Sequence, residues 1–302
     1  MLQILHKTNI DFIGWKKVSF AVSGVLILLG IVALVQIGRG KANLGIDFVG
    51  GTTIQLSFKN EVPIDKARAA LEKAGFQGAS IQEVGEGENK ILIRLRESEG
   101  ASDKVQNTFR QEFSENPFEV YSIMEIGPAI GKALQRDSLL AVTISIIAIV
   151  IYIAFRFQFR FGVAAAIATV HDVLAVLGIF YLLNKEFNLL VITALLTLAG
   201  YSLTDTVVIF DRIREDLKKN KRDPLAKIVN GSINEVLSRT IITSLTVILV
   251  LVPLAIWGGE VLHDFSIALL LGVVVGSLSS VFVASPILVV WQERTGGKLI
   301  TK

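Results

Sequence analysis

An α-helical polytopic membrane protein, with six spans and one α+β domain between the first and second, is the fold class this sequence predicts. Three observations predict it. The 302 residues are 52% hydrophobic, and the mean hydropathy of +0.59 exceeds what a water-soluble protein of this length carries. Six apolar runs, almost free of charge, each approach the ~20 residues a helix needs to cross a bilayer. One polar stretch of about a hundred residues alternates strand and helix patterns.

Taken in order, residues 1–17 form a cytoplasmic or interfacial lead-in, ending in Trp15, Lys16 and Lys17, the aromatic and basic anchors of a membrane edge. The expected spans are 18–38, 138–155, 161–183, 188–210, 240–257 and 265–291, with a basic loop at 211–239 and a tail at 292–302. Residues 39–137 form the inserted domain. In it Gly50-Gly51 opens a strand at 52–58, and Pro63 opens a helix over 66–74 closed by Gly75. Strands at 79–84 and 90–96 are split by a Gly/Glu turn, Ser102 caps a helix at 103–113, and 118–126 is the last strand. The order β-α-β-β-α-β is the ferredoxin-like arrangement.

Lysine and arginine set the orientation. Lys16, Lys17, Arg156, Arg160, a run of bases from Arg212 to Lys227, then Arg294, Lys298 and Lys302 all fall on one side if both termini are cytoplasmic. The two short loops on the other side hold only Lys185. The inserted domain is then outside, which in a bacterium is the periplasm. The net charge of +3 says little by itself. With no cysteine and three histidines, thiolate chemistry and disulfides are excluded and a histidine-rich metal site is disfavoured. There is no phosphate-binding glycine loop, so ATP is not the expected energy source. The domain shows neither a catalytic constellation nor a basic nucleic-acid patch, and reads as a module for protein contact; no enzyme activity, cofactor or metal is expected.

The chemistry concentrates inside the spans. Asp205 sits within an apolar run, where a carboxylate costs about 2.5 kcal/mol or more at a helix centre and therefore faces a partner or water. Steps of four residues back from it reach Tyr201, Thr197 and Thr193 on one helical face, with Gly200 and Thr204 beside it. Arg239 stands at the mouth of the fifth span, followed by hydroxyls at 240, 243, 244 and 246 that make one face polar. His171-Asp172 lies near the middle of the third span; neighbours on a helix diverge by about 100°, so one lines a pathway while the other serves a structural hydrogen bond. Asp211-Arg212 reads as an ion pair at a helix end, and Gly272 with Gly276 as a GxxxG packing surface. Pro253 and Pro286 bend their helices. A carboxylate moved between a dry setting and one beside an arginine binds and releases a proton, so proton handling by Asp205 and Arg239 is the expected chemistry.

Several motifs together resemble the SecD/SecF protein-export family of the RND superfamily: Leu44-Gly-Ile-Asp-Phe-Val-Gly-Gly51 with Gly45, Asp47, Gly50 and Gly51, then Gly127-Pro-Ala-Ile-Gly131. They continue with His171-Asp172, Gly200-Tyr-Ser-Leu-Thr-Asp-Thr206, Asp211-Arg212 and Ser238-Arg-Thr240, so the resemblance covers essentially the whole chain. It implies an RND-type, six-span SecF subunit that pairs with SecD into a twelve-span core beside the SecYEG channel, with YajC as a further partner. The implied work is assistance to protein export after the SecA-driven stage, powered by the proton motive force, with the periplasmic domain meeting the translocating preprotein. The resemblance ties Asp205 and Arg239 to proton conduction, and assigns a further proton-path aspartate to SecD. The family often carries Asn where this chain has Thr204. The rival readings are a proton-coupled small-solute exporter of the RND type and a non-transporting membrane scaffold.

Overall fold

The computed structural model describes residues 8–84, 89–97, 99–156, 158–220 and 222–295. The basic tail with Lys298 and Lys302, and the Gly/Glu turn at 85–88, lie outside the described residues. In chain order the elements begin with α1 (Lys16–Gly38), α2 (Ile46–Val49), β1 (Gly51–Phe58), α3 (Ile64–Lys73), β2 (Ser80–Val84), β3 (Lys90–Leu95), α4 (Ala101–Glu112) and β4 (Phe118–Ile126). Then follow α5 (Pro128–Arg156), α6 (Phe159–Leu182), α7 (Leu189–Lys219), α8 (Leu225–Trp257), α9 (Gly259–Ser279), a π-helical turn (Ser280–Ala284) and α10 (Ser285–Thr295). Among the described residues six helices are long and apolar enough to cross a membrane, the sixth being α9, the π turn and α10 in one run. The chain divides into a unit of Leu44–Ala141 with Glu186–Leu189, and a helical unit of Met1–Asn43, Val142–Lys185 and Leu190–Lys302.

The first unit is a four-stranded antiparallel sheet in the order β2-β3-β1-β4, with one helix after β1 and one after β3. Side chains alternate across a strand, so Ile54, Leu56 and Phe58 of β1 share one buried face. They meet Ala67, Ala70 and Leu71 of α3 and Val105 and Phe109 of α4, spaced at three and four residues as a helix stripe must be. Gly50 and Gly51 start β1 at φ +78° and +136°, which L side chains rarely adopt, and a Cβ on Gly51 would stand 2.2 Å from the Leu95 carbonyl oxygen. The edge strand β4 leaves Val120, Tyr121, Ile123 and Met124 exposed. In the same unit Gly45 N–H donates to the Phe187 carbonyl (2.9 Å), and Asp47 Oδ2 accepts the backbone N–H of Leu189 (2.8 Å), capping the start of α7.

In the helical unit α1 and α6 touch backbone to backbone. A Cβ on Gly30 would lie 2.3 Å from the Leu174 carbonyl oxygen, and one on Gly178 2.7 Å from the Gly30 nitrogen. Gly272 and Gly276 of α9 lie against Leu198 and Ser202 of α7, as the GxxxG spacing predicts. Phe12 and Ile13, just before α1, are buried in the core with Phe210, Val229, Ile233 and Leu288. A Lys16–Glu293 ion pair (2.7 Å) joins the start of α1 to α10.

Four expectations change. The loop at 211–239 is mostly helix: α7 runs on to Lys219 and α8 begins at Leu225, leaving a short break before Pro224. Its buried Ile213, Val229 and Ile233 keep a helical stripe that the dense charges mask in the sequence. The second membrane helix starts at Pro128, ten residues before the apolar run, because Pro is preorganised for a first helical turn. Ser102 lies inside α4, whose N-cap position is Gly100 at φ +66°. The sixth span is interrupted by the π turn: Pro286 has no N–H and its ring would crowd the Phe282 carbonyl, so the helix widens there.

Candidate functional site

Asp205 lies on the buried side of α7, with 5% of its surface exposed, facing α8 and α9. Two long contacts reach it: Thr243 Oγ donates toward Oδ1 at 3.4 Å and Ser277 Oγ toward Oδ2 at 3.5 Å. Behind them the hydroxyls form a chain. Ser244 and Ser277 are 2.6 Å apart, and Tyr201 donates to Ser244 at 3.3 Å. The helical register of α8 supplies Thr243 and Ser244 side by side; a turn of α9 supplies Ser277. Among the described residues, no ion pair within 4 Å reaches Asp205. Arg239, one turn before Thr243 on α8, is exposed and makes no ion pair among the described residues. The two groups that the sequence assigns to one site are thus not joined by an ion pair among the described residues.

Thr193, Thr197, Gly200 and Thr204 form an exposed polar stripe along α7, with Thr246 and Arg239 exposed on α8. Thr197 and Thr204 return their hydroxyls to backbone carbonyls one turn back, at 2.9 and 3.2 Å, which is how a hydroxyl is satisfied in an apolar setting.

A second polar node surrounds Asp172, which is fully buried. His171 Nδ1 is 2.8 Å from Oδ1, Ser279 donates to Oδ2 at 2.7 Å, and Ser202 donates to the same oxygen. The node ties α6, α7 and α9 together. His171 and Asp172 therefore meet each other, rather than serving separate faces. His171 Nε2 has no hydrogen-bond partner among the described residues. Ser202 lies one turn before Asp205 on α7, so both nodes hang on the same helix.

Asp211 and Arg212 do not form one simple pair at a helix end. Asp211 pairs with Arg156 of α5 (2.6 Å) and Arg214 (3.4 Å). Arg212 gathers Glu215 (2.9 Å), Asp216 (3.3 Å) and Glu235 of α8. Ser277 and Ser279 were legible in the sequence only as packing residues beside GxxxG. Their separation by two positions, which sends them to different sides of α9, was the available signal. Thr206, paired with Ser280 at 2.9 Å, had a similar signal in the serine run.

Comparison with known proteins gives a consistent result. Residues 104–294 match the family model described as protein export membrane protein SecD/SecF, C-terminal, and residues 41–62 match the SecD/SecF GG motif. The chain is 52% identical over 298 residues to the protein translocase subunit SecF of Thermodesulfovibrio yellowstonii, covering 98% of this chain and 99% of that one. It is 37% identical over 303 residues to the corresponding subunit of Endomicrobium trichonymphae, covering 99% and 96%. The crystal structure of SecDF, a translocon-associated membrane protein from Thermus thermophilus, superposes with a TM-score of 0.83 at 37% identity. That match covers 95% of this chain and 39% of the SecDF chain, so the chain spans about two fifths of the solved protein.

Proposed function

The chain belongs to the SecD/SecF protein-export family, within its SecF group, and from that premise we propose that it couples proton movement to protein export together with a SecD-type partner. It works in the bacterial inner membrane with both termini cytoplasmic, so that the α/β unit meets the emerging preprotein in the periplasm. The lysine and arginine distribution supports that orientation. SecYEG is the proposed channel beside it, with YajC as an accessory.

One observation carries the reading. Asp205 is buried among three helices and, among the described residues, is held by two long hydroxyl contacts alone, while Arg239, one turn before Thr243, is exposed and makes no ion pair. A carboxylate so lightly held can change its protonation and its partner at small structural cost, whereas a tightly bonded one cannot. Arg239 swinging toward Asp205 favours the charged carboxylate; withdrawing, it favours the protonated one. Each proton moved down a potential of 100 mV supplies about 2.3 kcal/mol, enough to bias a conformational cycle. Tyr201 and Thr204 line the approach, and the Asp172–His171 node holds the surrounding helices in register.

The exposed threonine stripe on α7 supports a partner subunit there, since a row of hydroxyls and an arginine in a span faces protein or water rather than lipid. The uncovered edge strand β4 supports a further contact outside. A solute exporter of the RND type usually carries two large outside domains and twelve spans in one chain, whereas the described residues here hold one α/β unit and six helices long and apolar enough to span.

In cells, Asp205→Asn and Arg239→Met each slow the late stage of preprotein export to the rate of cells whose proton gradient has been collapsed, while total export driven by ATP persists. Pulse–chase measurement of precursor processing checks this. Wild-type kinetics in both variants would remove the proton coupling, and altered drug sensitivity with intact export would favour the solute exporter.

A further inference from the structure

Arg239 has a second possible partner, and the structure keeps it occupied. Glu235 lies four residues before Arg239 on α8, in the orientation, acid first, that best stabilises a helical ion pair. Both side chains are exposed on that helix. Glu235 nevertheless pairs with Arg212 of α7 and not with Arg239. Arg212 is the natural competitor: its planar guanidinium presents several donors at once and is already set against Asp216 and Glu215.

The backbone around this exchange is fixed from the other side as well. Asn234 pairs with both backbone groups of Ile10, accepting its N–H and donating to its carbonyl, each at 2.9 Å. Asn230 accepts the Ile13 N–H at 3.0 Å and donates to Asp11 at 2.5 Å. The Asn230 amide, then the Gly14 N–H, hold the Asp11 carboxyl below its ordinary range, so this strap stays charged and bonded. Phe12 of the strap is set edge-on against Phe282 of the π turn, with ring centres 5.6 Å apart. Ser232 donates to Asp216 at 2.7 Å. The first three turns of α8 are therefore fastened to the strap by Asn230 and Asn234 independently of Arg212, whereas the Ser232 bond to α7 reaches an Asp216 oxygen that Arg212 also holds.

We propose that Arg212 is a positioning residue for Arg239: by holding Glu235 it denies Arg239 its one-turn partner and leaves that guanidinium free to serve Asp205. The inference rests on the proton-handling reading of Asp205. It assigns to Arg212 a competitive role rather than a bracing one, and the two roles predict opposite outcomes when Glu235 is also removed.

The experiment reconstitutes the full chain with its SecD-type partner in vesicles and reads proton uptake under an imposed potential. Thermal unfolding of each variant is recorded alongside. Arg212→Ala lowers uptake by roughly twofold, the strength of an exposed helical ion pair, because Glu235 now captures Arg239. Arg212→Ala with Glu235→Gln restores uptake to near the wild-type rate. Glu235→Gln alone, which leaves Arg212 its other two partners, keeps full uptake. Persistence of the defect in the double variant, wild-type uptake in Arg212→Ala, or a comparable loss in Glu235→Gln would each overturn the proposal. Asp205→Asn serves as the reference: if it retains uptake, the proton-handling reading itself has failed, and that failure is separate from any result on Arg212.

Discussion

Gly30→Ala and Gly178→Ala each lower the stability of the helical unit by about 2–3 kcal/mol, the upper part of the usual overpacking penalty. The size follows from what the new methyl meets. At Gly30 it would stand 2.3 Å from a carbonyl oxygen of α6, and at Gly178 2.7 Å from a backbone nitrogen of α1. Neither obstacle is the end of a flexible side chain, so relief requires the two helices to separate. That separation weakens contacts along the whole α1–α6 seam, because association in a bilayer depends on close packing rather than on hydrophobic exclusion from water. Glycines with open space around the same position, such as Gly24, form the control. Gly24→Ala leaves stability unchanged or slightly raised, since alanine is the better helix former. Unfolding midpoints in detergent, compared across the three variants, check the ordering.

Asp172→Ala destabilises the protein by about 2–3 kcal/mol, summing three lost hydrogen bonds worth roughly 0.6 to 1.7 kcal/mol each in a membrane interior. Asp205→Ala costs about 1 kcal/mol or less, because its two contacts are at the limit of hydrogen-bond length. The contrast is the point of the prediction. Asp172 holds His171, Ser202 and Ser279 and has no exposed surface. Removing it takes the partner from His171 in α6 and Ser202 in α7, and leaves Ser279 in α9 with its Gly276 carbonyl contact. Asp205 holds little and is correspondingly free to react. Equal losses of stability in the two variants, read from unfolding midpoints in detergent, would show that the carboxylates play the same structural role.

Much of this was readable from the sequence, for physical reasons. A lone carboxylate in an apolar run is costly enough to stand out, so Asp205 and Asp172 were visible without a structure. The hydroxyl face of α8 followed from helical spacing, as did the GxxxG surface of α9. The succession of strands and helices in the α/β unit followed from periodic patterning and glycine positions. What periodicity gives is a face, and not a depth or a neighbour. Ser277 and Ser279 therefore read as packing residues, although one reaches each carboxylate. The helical ends of α7 and α8 were hidden because charged residues outnumber the apolar stripe of Ile213, Val229 and Ile233. The pairing of Ile10 with Asn234 joins residues more than two hundred positions apart and has no local signal. Charge alone pointed to Arg239 as the counterpart of Asp205 in one site, and among the described residues no ion pair joins the two.

Proton uptake into vesicles carrying the chain with its SecD-type partner tests the account most directly. With a potential imposed, wild-type protein takes up protons, Asp205→Asn abolishes the uptake, and Arg239→Lys, which keeps the charge, retains part of it. Wild-type uptake in the Asp205→Asn protein would contradict the assignment of this carboxylate as the proton carrier.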